Sequence, residues 1–288
     1  MTSWNGRIAF VTGAGSGIGQ QIALTLGQRG AAVAAADIDL SAAQATADAL
    51  RQQGAKAASV TLDISDIDAW DRALADAAQA LDAPVDCLVN CAGVGGGGNV
   101  VDEDPRQWRR VIEVNLIGTY YGCRAVLPSM LASGRPANIV TIASLSGLRA
   151  NPGMSCYTAS KFGVVGLHDT LRMELEGSNV GVTVVYPGMT NTGFVENSKR
   201  LLGEVESANK VTGVGNMLAS GMNPARLAAR VVDGVENGEY HVFTHGEYKD
   251  AIKDVFDERL AAFGGNADPD YREDIAGLNA RIAQTQES

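Results

Sequence analysis

With 288 residues, 45% of them hydrophobic and 19% charged, the chain is long enough to bury a sizeable core and too apolar to remain disordered. Its 33 acidic residues against 23 basic ones leave a formal charge of -10, which excludes broad electrostatic attraction to nucleic acid or to anionic membrane surfaces. The four cysteines, Cys87, Cys91, Cys123 and Cys156, lack the paired spacing of a zinc site and are too few for a disulfide scaffold, so reduced thiols in a cytoplasmic protein are expected.

The first strand is expected at 7–12, with no basic region and apolar stretch of signal-peptide kind before it. Further strands follow at 31–37, 56–62, 85–90, 137–143, 180–186 and 240–244. Helical periodicity fills the gaps at 17–29, 41–53, 66–81, 105–132, 154–177 and 223–237, each long enough for a crossover between parallel strands. This alternation predicts an α/β fold, a doubly wound, mostly parallel seven-stranded sheet with helices on both faces. Gly95 to Gly98 read as a flexible turn. Residues 189–221 break the alternation with Gly, Asn and Ser among Phe194, Leu201, Leu202, Met217 and Leu218, a composition that suggests a mobile lid. One domain over 1–245 is expected, with 246–288 as a helical extension of it: Val255, Leu260 and Phe263 on a helix, a polar break at 265–269, and a last charged helix.

Chemistry concentrates where strands end. Thr12-Gly13-Ala14-Gly15-Ser16-Gly17-Ile18-Gly19 follows the first strand and opens a helix, so that backbone N–H groups and the helix dipole would meet a pyrophosphate. Asp37 ends the second strand, where a carboxylate accepts from the adenosine ribose hydroxyls and repels a 2′-phosphate; Ser16 and Ile38 supply no positive charge to welcome one. Asp63, followed by Ile64, is placed to reach the adenine amino group. Tyr157 and Lys161 stand at i, i+4 on a helix and share one face. A neighbouring ammonium and a positive nicotinamide ring would both favour phenolate, and bringing the phenol near neutrality takes roughly 4 kcal/mol of differential stabilisation. Ser144 closes the fifth strand at the carboxyl edge, where its hydroxyl could polarise a substrate carbonyl.

On these motifs the chain, over about residues 5–245, resembles the short-chain dehydrogenase/reductase family, with its Rossmann fold. The family's nucleotide loop corresponds to Thr12 to Gly19, and its Asn-Asn-Ala-Gly turn to Asn90-Cys91-Ala92-Gly93. The resemblance implies a catalytic set of Asn115, Ser144, Tyr157 and Lys161, in which Asn115 holds a water that links Lys161 to solvent and Lys161 also bonds the nicotinamide ribose. It implies pro-S hydride transfer, contacts to the nicotinamide from Pro187, Gly188 and Thr190 to Thr192, and a homotetramer or homodimer formed through the long helices. Cys91 in place of the second Asn removes a side-chain bond and keeps the backbone shape; the tail beyond 245 is longer than in compact members and leaves pocket closure and subunit packing open.

The reading is therefore an NAD-dependent oxidoreductase interconverting a secondary alcohol and a ketone, with Tyr157 as general acid/base. Ser146, Met154, Met189 and Phe194 are the candidate substrate contacts. The apolar lid favours a bulky apolar or aromatic substrate, whereas Arg149 and Asn151 would suit a polar one. The alternatives are an NADP-linked carbonyl or 3-oxoacyl reductase, a non-catalytic dinucleotide-binding regulator, and a halohydrin-dehalogenase-like lyase, which would have given up the nucleotide loop and the ribose-binding acid. His168, His241 and His245 have no ligand-spaced partners and are assigned to packing. Cys156 is turned about 100° from Tyr157 on the helix and is not taken as a nucleophile.

Overall fold

Strand β1 (Ile8–Thr12) is buried along its whole length, as a central strand covered on both faces must be. Its side chains alternate between two cores. Ile8 and Phe10 join one with Trp70, Leu88, Val111 and Ile139, while Ala9 and Val11 join the other with Ile22, Val89, Val140, Leu227 and Val231. In the computed structural model, which describes residues 4–202, 220–264, 274 and 277, seven parallel strands run in the order β3-β2-β1-β4-β5-β6-β7. The remaining strands are β2 (Ala32–Asp37), β3 (Ala57–Thr61), β4 (Cys87–Asn90), β5 (Ala137–Ile142), β6 (Val180–Tyr186) and β7 (His241–Phe243). Strand order reverses between β1 and β4, which opens a crevice at their carboxyl ends.

Helices α1 (Gly17–Gln28), α2 (Leu40–Gln52), α3 (Ile67–Leu81), α4 (Pro105–Ile112), α5 (Gly118–Ser133), α6 (Ser155–Glu174), α7 (Phe194–Leu202) and α8 (Pro224–Glu236) follow in chain order. Several carry their own start signals: Asp39, Asp66, Asp104 and Asn223 accept from first-turn N–H groups of α2, α3, α4 and α8, and Pro105 and Pro224 open two of these helices.

Two expectations change. The single helix expected over 105–132 is α4 and α5 joined by a π-helical segment, Glu113–Ile117, which carries Asn115. The region expected as a lid contains helix α7, whereas Met217 and Leu218 lie outside the described residues.

The chain divides into two compact units, Met1–Gly246 and Glu247–Ser288. In the second, α9 (Lys249–Ala261) runs into a 3-10 turn, Ala262–Gly264; Phe256, Leu260 and Phe263 are exposed. The expected polar break and last helix fall outside the described residues. Among the described residues, no helix is long and apolar enough to cross a membrane.

Candidate active site

The glycine-rich loop after β1 is shaped by close approach. Gly13 and Gly17 adopt φ of +65° and +56°, and a Cβ at Gly13 would fall 2.8 Å from the Ala92 Cα. Thr12 joins the same two segments: its hydroxyl oxygen accepts from the N–H groups of Cys91 (3.0 Å) and Ala92 (3.1 Å). Unlike α2, α3 and α4, helix α1 has no side-chain cap at its N-cap, Ser16, so its first-turn donors face the crevice without a protein acceptor of that kind. This glycine-lined, uncapped helix start fits a pyrophosphate.

Asp37 stands beside the loop, accepting from Gly15 N–H at 2.9 Å and from Asp39 N–H at 3.0 Å. A Cβ at Gly15 would meet its Oδ2 at 2.8 Å, so glycine is required by the acid's proximity. Ile38 is exposed next to it and Ile64 is buried against Gly118. Asp63 accepts from the Ser65 N–H and hydroxyl (2.9 and 2.6 Å) and from Arg110 (3.2 Å), which hold its carboxyl below the usual range against the opposing effect of burial. Asn90 turns inward, donating to Thr141 Oγ1 at 3.3 Å within the core. Any contact it offers at the crevice comes from its backbone.

Tyr157, Lys161 and Ser144 meet at the carboxyl edge. Ser144 follows β5 and accepts from Ser146 N–H at 3.0 Å, and its side chain is near enough to the Tyr157 phenol to favour the phenolate. The Lys161 ammonium lies 5.6 Å from the Tyr157 ring centroid and donates to the Ile142 carbonyl at 2.9 Å. The phenol expected to be acidified is not so in the chain by itself. Burial pushes Tyr157 up to about 12, outweighing the opposing effect of Ser144, although part of the residue remains open to solvent. The same burial pulls Lys161 down to about 8.

Asn115 reaches this cluster through Gly93, where an added Cβ would lie 3.2 Å from its Oδ1 and 3.9 Å from Lys161 Nζ. Its amide is committed to protein partners: Oδ1 accepts from Val94 N–H (2.8 Å), and Nδ2 donates to the Val94 carbonyl (2.9 Å) and Ser160 Oγ (3.1 Å). Both side-chain donors are thus spent holding the turn after β4 against α6, and a water linked to Asn115 would need its main-chain carbonyl or the second lone pair of Oδ1. Cys91 is pushed up to about 12 by burial.

Across the crevice, Pro187 and Thr190 are buried in the turn after β6, with Thr190 Oγ1 3.2 Å from the Gly188 carbonyl. Thr192 lies against Gly17, 3.3 Å from an added Cβ. Phe194 packs edge-on against Tyr157 with 6.0 Å between centroids. Ser146 is buried beside Ser144, Met154 precedes α6, and the Met189 carbonyl accepts from Met222 N–H at 2.9 Å. Arg149 and Asn151 bond each other at 3.4 Å.

A model of the short chain dehydrogenase family matches residues 7–201, more than half of the chain. This chain belongs to the short-chain dehydrogenases. It is 35% identical over 251 residues to a "Putative oxidoreductase SadH" of Mycobacterium tuberculosis (strain ATCC 25618 / H37Rv), covering 86% of this chain and 90% of that one. To a "C alpha-dehydrogenase" of Sphingobium sp. (strain NBRC 103272 / SYK-6) it is 29% identical over 264 residues, covering 89% and 86%. A crystal structure of a short chain dehydrogenase/reductase from Burkholderia phymatum in complex with NAD superposes with a TM-score of 0.86 at 29% identity, covering 94% of this chain and 100% of that one. As an oxidoreductase of a family that binds nicotinamide dinucleotides, this short-chain dehydrogenase has its glycine loop, Asp37 and the Tyr157 cluster along one crevice.

Three residues of α7 that carry no motif in the sequence face the site. Asn197 donates to Ser16 Oγ at 2.9 Å, Ser198 Oγ accepts from Gly95 N–H at 2.7 Å, and Arg200 lies 3.6 Å from Asp39. Phe194 and Ser198 at i, i+4 were the available helical signal, obscured by glycine and asparagine on the amino side. His168 is a core residue, 2.7 Å from Thr141 Oγ1 and pulled down to about 4 by burial. No cluster of three metal-donor side chains occurs among the described residues.

Proposed function

We propose that this dehydrogenase interconverts a secondary alcohol and a ketone using NAD, and that the substrate is bulky and apolar or aromatic. The observation that carries the proposal is the gathering of Ser144, Tyr157 and Lys161 at the carboxyl edge, the Lys161 ammonium 5.6 Å from the Tyr157 ring centroid, in the same crevice as a glycine loop whose Gly15 N–H is held by Asp37. When bound, the nicotinamide would accept or donate the hydride. Thr12 to Gly19 would hold the pyrophosphate, Asp37 and Ile38 the adenosine ribose, Asp63 and Ile64 the adenine, and Asn90 to Gly93, Lys161, Pro187, Gly188, Thr190 and Thr192 the nicotinamide half.

In the oxidative direction Tyr157 takes the hydroxyl proton while Ser144 holds the same oxygen; in reduction Tyr157 returns it. Because burial raises the phenol in the chain alone, it becomes an effective base only with added positive charge beside it. Lys161, drawn down to about 8 by burial and still mainly protonated at neutral pH, holds its proton more firmly when hydroxyl oxygens of a bound ribose accept from it. Asn115 fixes the loop behind Lys161. Phe194 against Tyr157 supports an apolar wall for the substrate.

A second reading has one observation in its favour. Arg200 brings a positive charge within 3.6 Å of Asp39, two residues from Asp37, where a 2′-phosphate could profit from it. A panel of secondary alcohols assayed with NAD and NADP, in native and Arg200→Ala protein, tests both readings: NAD turnover well above NADP supports the first, and NADP turnover that depends on Arg200 supports the second. A homotetramer or homodimer belongs to the same proposal, supported by exposed Trp108, Tyr120 and Met173 on α4, α5 and α6 and tested by light scattering.

A further inference from the structure

His245 follows β7, and the mechanism above does not use it. Its ring is buried, and its two nitrogens reach both ends of a two-residue segment in the turn after β6. Gly188 N–H donates to Nδ1 at 3.0 Å, and Nε2 lies 3.0 Å from the Met189 carbonyl oxygen. A backbone N–H only donates, so Nδ1 is the unprotonated nitrogen; the proton sits on Nε2 and is donated to Met189. Thr244, the residue after β7, has its Oγ1 2.7 Å from the same Nδ1.

The sequence is fitted to this ring. Gly188 does not adopt positive φ, so its backbone conformation does not call for glycine. A Cβ there would fall 2.8 Å from His245 Cγ and 3.0 Å from Cδ2, so the absent side chain makes room for the imidazole. Beyond the turn, Met222 N–H donates to the Met189 carbonyl and Asn191 N–H to the Met222 carbonyl, each at 2.9 Å. The segment 188–191 is thus held on one side by His245 and on the other by the chain entering α8, with Thr190 buried between them.

We propose that His245 is a positioning residue for the nicotinamide half of the site: as the neutral Nε2–H tautomer it sets the height of the 187–190 turn over the crevice. This inference rests on the dinucleotide reading above and adds to it a specific lever on one half of the ligand. Losing the ring nitrogens should loosen contacts to the nicotinamide while leaving those to the adenosine and pyrophosphate, which are built on β1 and β2, unchanged.

The test compares NADH with ADP-ribose, which lacks the nicotinamide, by titration calorimetry and by nicotinamide fluorescence. His245→Phe keeps a ring of similar bulk and removes both hydrogen bonds. It should weaken NADH about tenfold, diminish the fluorescence enhancement of bound NADH, and leave ADP-ribose affinity within about twofold. His245→Asn retains an acceptor for Gly188 N–H and should recover part of the loss. Equal weakening of both ligands, or no change in either, overturns the inference. If His245→Phe does not fold, His245→Asn decides alone: an NADH to ADP-ribose affinity ratio equal to the native one overturns it, and a shifted ratio supports it. A native chain that binds ADP-ribose and not NADH removes the nicotinamide reading itself and this inference with it, a failure visible before any variant is made.

Discussion

Over β1 to β4, the carboxyl edge of the sheet presents mainly backbone: the uncapped start of α1, the glycine loop, and the turn at Cys91 and Ala92 tied to Thr12. Over β5 to β7 it presents side chains from distant parts of the chain: Ser144, Tyr157, Lys161, Phe194 and His245. The first half can hold one common ligand fragment because peptide donors are the same in every sequence and only their spacing must be right. In the proposed function the second half decides chemistry and selectivity, which needs particular functional groups at particular distances.

The largest expected effect breaks the second half alone. Tyr157→Phe should lower turnover by roughly 10²- to 10⁴-fold while NADH affinity stays near native, and retained turnover would remove the acid–base role. Gly13→Ala attacks the first half, combining a left-handed φ of +65° with a Cβ 2.8 Å from the Ala92 Cα. The conformation alone costs about 1–2 kcal/mol. NADH affinity should fall at least about tenfold, since 1.4 kcal/mol is a tenfold change, and the melting temperature should drop; native behaviour in both would contradict the loop contact.

A third prediction concerns the buried amine. Lys161 is drawn down to about 8 in the folded chain from its ordinary value of 10.5, so between those pH values the unfolded state binds more protons. The stability of the ligand-free chain therefore gains from this group as pH rises through that window, and below pH 8 its burial cost is fully present. Lys161→Met removes this contribution. Denaturant titrations from pH 7 to 10.5 should show native protein gaining on the variant by a few kcal/mol at most; a constant difference would show that the folded-state amine is not depressed. The smallest effect sharpens selectivity: Phe194→Ala should raise KM for bulky apolar alcohols roughly three- to tenfold, as an aromatic contact is worth about 0.5–1.5 kcal/mol, and leave small alcohols little changed.

Much of the first half was legible because its signals are local. All seven strands lie within their expected spans, and Gly13, Asp37 and Asp63 fall where strands end because parallel strands deliver their carboxyl ends to one edge. The π-helical turn at Glu113–Ile117 was not legible: apolar periodicity over 105–132 continues through it, and Asn115 locks to Val94 and Ser160, contacts that exist only after α6 packs. Nor was α7, whose polar residues engage Ser16, Gly95 and Asp39 from far along the chain.

The sequence by itself determined the parallel α/β sheet, the family, and the position of a glycine-rich loop between β1 and α1, because strand alternation, turn glycines and an i, i+4 pair are encoded between near neighbours. Only the tertiary structure decided the protonation balance of Tyr157 and Lys161, since desolvation depends on what packs around a group and not on what adjoins it in the chain. It also decided the contact of His245 with Gly188, made across 57 residues once β6 and β7 lie side by side.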